Sequence, residues 1–186
     1  MNHKDSGLSA LEALVTVLIA AILSAATVPG IQTALYQSHF RTALYQLVRT
    51  VNHARALAVN EGKTITLCVR GATLSCQDNW HENMDMLLFH DENKNYAVDE
   101  NEPVYFSQQW SFSGLSGKLN SLGRSALVYF PNGSTIAGNI SLCAHGDHPE
   151  LNRAIIFNTI GRPRLSDDTD NDGIEETGSH KPIVCD

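Results

Sequence analysis

Several residues have the type and spacing to do chemistry. Glu12 is the one charge in the 21 residues from Leu8 to Val28. An ionised carboxylate at membrane depth costs roughly 2.5 to 3.5 kcal/mol even on the mild insertion scale, so a Glu kept there implies a function and a partner. The other reading is a signal anchor that tolerates a Glu near the interface. Arg162 and Arg164 occupy alternate positions of Gly161-Arg162-Pro163-Arg164. In an extended segment both guanidinia project the same way, and the planar fork of arginine suits phosphate oxygens. Asp167, Asp168, Asp170 and Asp172 follow at once and would repel phosphates; pairing of the two arginines with that acidic loop is the alternative. Asp168, Asp170 and Asp172, with Gly173 next, follow the alternating-oxygen pattern of a calcium loop. Ser179 stands at its twelfth position, so a terminal ligand has to come from Glu175, Glu176 or elsewhere. The bland reading of this segment is a solvated acidic loop.

Two further constellations are weaker. Asp91, Asn93, Asn95, Asp99 and Glu102 also have calcium-loop spacing, but Tyr96 stands where that loop needs Gly, so a polar hairpin loop is expected. Cys143, His145, Asp147 and His148 lack the second ligand pair of a zinc site. There is no nucleophile motif, phosphate-binding Gly loop or dinucleotide fingerprint. The chain therefore reads as something other than an enzyme, with no cofactor expected beyond calcium.

These residues sit on elements that the hydropathy pattern outlines. At about 1.5 Å rise per residue, Leu8 to Val28 matches the hydrocarbon thickness of a bilayer. Pro29-Gly30 should kink or loosen the helix, because Pro removes a backbone donor and crowds the preceding turn. Beyond it Leu44, Leu47, Val48, Val51, Ala54, Leu57 and Ala58 recur at three- and four-residue steps, one face of an amphipathic helix running to about Asn60. Arg41, Arg49 and Arg55 lie off that stripe and are expected on a solvated face, or against lipid headgroups or a neighbouring subunit. Glu61-Gly62 reads as the helix stop. Strand-like runs follow at Thr64 to Val69, Met84 to His90, Pro103 to Phe106, Ser125 to Phe130, Ile140 to Ala144 and Ala154 to Asn158, separated by turn residues. The expected fold is α+β: a long N-terminal helix, membrane-spanning in its first half, packed on an antiparallel β-sheet domain.

Charge and cysteine content narrow the classes further. The net charge is -7, and from Glu61 onward nine Lys/Arg face eighteen Asp/Glu. Bulk electrostatics of such a body oppose nucleic-acid binding, which would need a local patch. Cys68, Cys76, Cys143 and Cys185 all lie outside the apolar run. An even count there suits two disulfides in an oxidising compartment, although sequence alone leaves the pairing open. Nearness favours Cys68 with Cys76, and Cys143 with Cys185 would staple the tail. Lys4 precedes the run and Arg41 follows it, so loop charge does not orient the chain.

Gly7-Leu8-Ser9-Ala10-Leu11-Glu12, with the apolar run behind it, resembles the prepilin signal of type IV pilins and pseudopilins. The resemblance implies cleavage between Gly7 and Leu8 by a prepilin peptidase and N-methylation of Leu8. It also makes Glu12 the fifth mature residue, the carboxylate that meets the N-terminal amine of a neighbouring subunit. Leu8 and Ser9 stand where that family most often has Phe and Thr. The segments His53 to Asn60, Thr64 to Cys68, Phe89-His90-Asp91 with Asn93 and Asn95, and Gly161 to Arg164 resemble the GspH/FimT group of minor pilins and pseudopilins. That implies a pilin-like fold with a leader at 1–7, a membrane-spanning half-helix at 8–28, an amphipathic half-helix at 29–60 and a globular β domain at 61–186. The implied location is the bacterial inner membrane, single-pass with the C-terminal domain periplasmic, and then a pilus or pseudopilus. The implied function is that of a minor pilin in type IV pilus assembly, in initiation or at the tip, with other pilins or pseudopilins as partners. The alternatives are a type II secretion minor pseudopilin and a DNA-binding minor pilin for natural transformation. In the FimT branch a Gly-Arg-x-Arg segment is associated with DNA, and Arg162 and Arg164 match it.

Overall fold

The computed structural model describes residues 9–71, 73–77, 79–80, 84–110, 115–122, 124–144 and 149–183, without side chains at 24–33, 79–80, 84 and 108–110. Helix α1 spans Ala10–Glu61 and continues through Pro29-Gly30. Its ends follow from local chemistry. Ser9 caps the N-terminus, its Oγ accepting from the Leu11 amide at 3.3 Å and its carbonyl from the Glu12 and Ala13 amides at 3.0 and 3.1 Å. With Glu12 three residues on, this is the Ser-x-x-Glu spacing of a capping box. At the other end Gly62 takes φ 64° and the Lys63 amide returns to the Ala58 carbonyl at 3.2 Å. That bond is the six-to-one closure of a Schellman stop, which needs a residue comfortable at positive φ.

Contacts divide the chain into two units, Met1–His39 and Phe40–Asp186. In the first, every described large apolar side chain from Leu11 to Leu23 is at least 50% exposed. A helix segment that is apolar on all sides is the kind that a lipid or a bundle of partner helices covers. Among the described residues no helix is long and apolar enough to cross a membrane. The described side chains of α1 stop at residue 23 and resume at residue 34, so the run Leu8 to Val28 falls only partly among them.

In the second unit, α1 buries Phe40, Ala43, Leu44, Leu47, Val51, Ala54 and Ala58, the stripe read from the sequence extended one turn N-terminally. Two five-stranded antiparallel sheets complete the unit. The strands are β1 (Ile65–Arg70), β2 (Cys76–Gln77), β3 (Asn79–Trp80), β4 (Met84–His90), β5 (Val104–Trp110), β6 (Leu115–Asn120), β7 (Ala126–Tyr129), β8 (Gly138–Ala144), β9 (Arg153–Phe157) and β10 (Pro163–Leu165). The first sheet runs β2-β1-β4-β5, and β7 shares the edge of β1 with β2. The second runs β10-β9-β8-β6-β3. Six of the strands answer to the expected runs. β2, β3, β6 and β10 do not: two are only two residues long, β6 (Leu-Ser-Gly-Lys-Leu-Asn) is broken by Gly, and β10 begins with Pro. Pro lacks the amide a central strand needs, and β10 accordingly lies at the sheet edge.

Cys68 and Cys76 are bonded, Cα atoms 5.5 Å apart, and join β1 to β2. Cys143 is disulfide-bonded as well, while Cys185 lies outside the described residues. The Cys68 side packs with Leu87, Phe89 and Ala126, and Tyr96 and Val98 close over it.

One arginine departs from the solvated face expected of all three. Arg55 is half-buried, and its Nε donates to the Gly133 carbonyl at 3.1 Å. Gly133, in the turn after β7, in turn lies against Gly161: a Cβ on Gly161 would sit 2.0 Å from the Gly133 carbonyl oxygen. Tyr129 is fully buried beside them and donates its hydroxyl to the Gly161 carbonyl at 3.2 Å. Burial pushes its phenol upward from the usual range, and the nearby Arg55 charge offsets part of that. Helix, turn and the start of β10 are locked at this junction.

Candidate functional site

Glu12 lies in the first turn of α1, exposed, and its side chain has no partner among the described residues. A carboxylate at that position is favoured by the unpaired amides and the dipole of the helix N-terminus. The helix itself thus lowers the cost of keeping a charge here, which sequence reasoning did not anticipate. Gly7 and Leu8 lie outside the described residues.

The acidic segment resolves into two carboxylate environments. Glu175 is engaged: Arg153 Nε lies 2.7 Å from its Oε1, and the Ser166 hydroxyl donates to its other oxygen. Glu176 is turned the other way and buried, its Oε2 accepting from the Thr169 amide and hydroxyl at 2.8 and 2.7 Å. One oxygen from each of Asp168, Asp170, Asp172 and Glu176 falls within 4.8 Å of the others. The loop is shaped by its own Asx bonds, from Asn171 and Gly173 amides to Asp168 and from Ile174 to Asp172. Asn171 at φ 63° and Gly173 at φ 91° make the turn. The fourth carboxylate that the sequence left open is therefore Glu176. These four residues could hold a divalent cation, for which carboxylate oxygens are the natural ligands.

The second calcium-like segment is a self-satisfied hairpin loop, as expected. Asp91 is fully buried and accepts from Thr66 Oγ1 at 2.8 Å and the Asn95 amide at 3.1 Å. Glu102 accepts from the Glu92 and Asp99 amides at 2.8 and 3.1 Å. Tyr96 adopts φ 62°, the turn a Gly would make, and is held by its packing on the Cys68 cluster and by Arg124, which donates to its hydroxyl at 2.9 Å. Cys143 is unavailable as a zinc thiolate because it is bonded; His145, Asp147 and His148 lie outside the described residues.

Arg162 and Arg164 stand on the edge strand and its approach, Arg164 opposite Ile156 of β9. Both are exposed and both line one groove of about 760 Å³. Neither has an ion-pair or hydrogen-bond partner among the described residues. Pairing with the acidic segment, the alternative drawn from the sequence, falls instead to Arg153. The groove's other walls are Asn120 at the end of β6, Ser121 and Leu122 after it, the start of β8, and Gly178-Ser179 of the C-terminal tail. Gly161, at φ 79°, is what lets the chain pass Gly133 and enter β10.

A long N-terminal helix, its second half packed on antiparallel sheets, with one carboxylate in its first turn, defines a pilin-like α+β protein. The family model for type II transport protein GspH matches residues 43–161, well over half of the chain, and the chain belongs to that family. Its members are structural subunits, so the chain is not an enzyme. Two solved structures are similar. The type IV minor pilin FimU of Pseudomonas aeruginosa has a TM-score of 0.49 at 15% identity, over 70% of this chain and 90% of that one. The minor pseudopilin EpsH from the type 2 secretion system of Vibrio cholerae has 0.46 at 15%, over 67% and 94%. No curated protein matches by sequence. Glu12, Arg162 and Arg164 all fall outside the matched segment, so what they do has to be argued from chemistry.

Proposed function

We propose that the chain is a minor subunit of a pilus-like filament. It is held in the bacterial inner membrane by the apolar first half of α1, with its C-terminal domain periplasmic. A prepilin peptidase cuts between Gly7 and Leu8 and methylates the new amine, and Glu12 then meets the amine of a neighbouring subunit as the filament grows. The observation that carries this reading is Glu12 itself: one carboxylate in the first turn of a helix whose following side chains to Leu23 are uncharged and whose large ones are exposed. Family membership supports it independently. The type IV pilus, with a role in initiation or at the tip, is the reading of the whole chain's motifs. The type II secretion pseudopilus is favoured by the family's name, type II transport protein GspH.

The test is processing. Full-length chain expressed in membranes with a prepilin peptidase is expected to give an intact mass that starts at methylated Leu8, and Gly7→Val to stay uncut because a bulky side chain precedes the cleaved bond. A native chain left at full length beside a peptidase that cuts a control prepilin overturns the reading.

Calcium at Asp168, Asp170, Asp172 and Glu176 belongs to the same proposal. The buried Glu176 among three aspartates is what supports it. Adding about 1–5 mM calcium, above the roughly 0.1–1 mM dissociation constants of extracellular modules, is expected to raise the melting temperature of the full chain by roughly 2–5 °C through mass action. Asp170→Asn with Asp172→Asn should abolish that rise, and an unchanged melting temperature in the native chain leaves a solvated acidic loop.

A further inference from the structure

The groove at the edge of the second sheet pairs two arginines that have no partner among the described residues with apolar and amide surface, in a domain that is otherwise acidic. We infer that it docks a short extended peptide segment carrying carboxylates on alternate residues, supplied by a neighbouring protein subunit. The inference stands apart from the reading of Glu12 and does not depend on it.

Spacing comes first. Arg164 lies on β10 and Arg162 one residue before it, and both line the groove; two residues of extended chain span about 6.6 Å. Carboxylates at i and i+2 of an extended peptide have the same separation, and each guanidinium fork takes a carboxylate bidentately. The lining comes second. Leu122 is 84% exposed at φ 48°, a conformation that costs a bulky residue and presents its side chain at the groove wall. Asn120, Asn139 and Asn158 border the same space. Asn139 Oδ1 accepts from Asn120 Nδ2 at 3.2 Å and from Ser141 Oγ at 3.1 Å, which leaves the Asn120 oxygen, the Asn139 amide hydrogens and Asn158 to meet a peptide backbone. An apolar side chain between two acidic ones would meet Leu122, while its backbone meets the asparagines. A volume of about 760 Å³ is that of a small-ligand cleft.

Electrostatics decide between a peptide and a nucleic acid. From Glu61 onward the chain carries eighteen acids against nine basic residues, and Asp167 and Asp168 follow Arg164 after Leu165-Ser166. A polyanion that runs on past the groove meets this repulsion along its whole length, and its binding weakens steeply with salt. A segment with two carboxylates brings only two charges into that field and can set one against each guanidinium. The field of the domain therefore favours the short acidic peptide over DNA.

The experiment uses the full chain in detergent micelles and the labelled peptide acetyl-Gly-Asp-Leu-Asp-Gly-amide, followed by fluorescence anisotropy. Its competitors are the Asn-Leu-Asn analogue, a single-stranded 12-nucleotide DNA and inorganic phosphate. Binding of the Asp peptide is expected, at least tenfold tighter than the Asn analogue and than the DNA. Arg162→Gln with Arg164→Gln should weaken it at least tenfold at an unchanged melting temperature, and the double Lys variant should recover only part of the loss, because an ammonium keeps the charge without the fork. DNA binding tighter than the peptide overturns the inference in favour of nucleic-acid capture. Equal binding of the Asp and Asn peptides, indifference to the double Gln variant, or no peptide binding at all also overturns it.

Discussion

Gly161→Ala is expected to lower the melting temperature of the full chain by roughly 10 °C, from a loss on the order of 3 kcal/mol. Two costs combine. The residue sits at φ 79°, where an alanine pays about 1 kcal/mol or more for its Cβ. That Cβ would also lie 2.0 Å from the Gly133 carbonyl oxygen and 3.0 Å from Tyr129 Cε1. Gly133 cannot simply retreat, because its carbonyl is held by Arg55 of α1 and a Cβ on Gly133 would itself meet Val59 at 2.9 Å. Relief therefore has to come from the β10 side, which draws the Gly161 carbonyl away from the buried Tyr129 hydroxyl and leaves that hydroxyl unpaired. Gly62→Ala is the matched control. It has φ 64° but nothing within 4 Å of its Cβ, so it should lose only the conformational cost. Thermal melts of the two variants side by side check the difference, and equal losses would mean that the close backbone approach contributes nothing.

The same junction shows where sequence reasoning succeeds and where it stops. Periodicity identified the buried stripe of α1, because a helix repeats its core face every three or four residues whatever it packs on. Glu61-Gly62 marked the stop because positive φ is a local property. Runs rich in branched and aromatic residues gave β1, β4, β5, β7, β8 and β9. β6 escaped because Gly117 interrupts its alternation, and β10 because Pro163 argues against any strand except one at an edge. Arg55 was assigned to solvent because nothing near it in sequence announces the Gly133 carbonyl, 78 residues away. The partner problem is the same for charge. Sequence left Arg162 and Arg164 open to phosphate or to the neighbouring aspartates, whereas the fold gives Glu175 to Arg153 and leaves the two edge arginines facing a groove. Glu175 and Glu176 could not be told apart until their neighbouring strands and turns fixed which way each pointed.

Glu12→Gln is expected to reduce incorporation of the proposed subunit into filaments by more than tenfold while leaving the melting temperature of the β domain unchanged. A carboxylate costs roughly 2.5 to 3.5 kcal/mol at the centre of a membrane helix and less toward its edge, and in the proposed filament a charged partner offsets that cost in the assembled state. In the proposed filament that partner is the amine of an adjacent subunit, and attraction between opposite charges rises several-fold when water is excluded. Glutamine keeps the size and hydrogen-bonding reach but loses the charge, so a tenfold loss or more would report the ion pair rather than packing. Helix capping offers the competing account, since Glu12 lies at the third position after Ser9 and a carboxylate there is worth about 0.3–1 kcal/mol to the helix. The two accounts separate with Ser9→Ala. Loss of the cap weakens the first turn without touching the carboxylate, so it should leave incorporation largely intact if the charge acts between subunits. Filament and membrane fractions probed for the full-length protein give both readings at once. If Glu12→Gln assembles as the native chain does, or if Ser9→Ala fails as badly, Glu12 is a helix cap and the chain enters the filament by apolar packing alone.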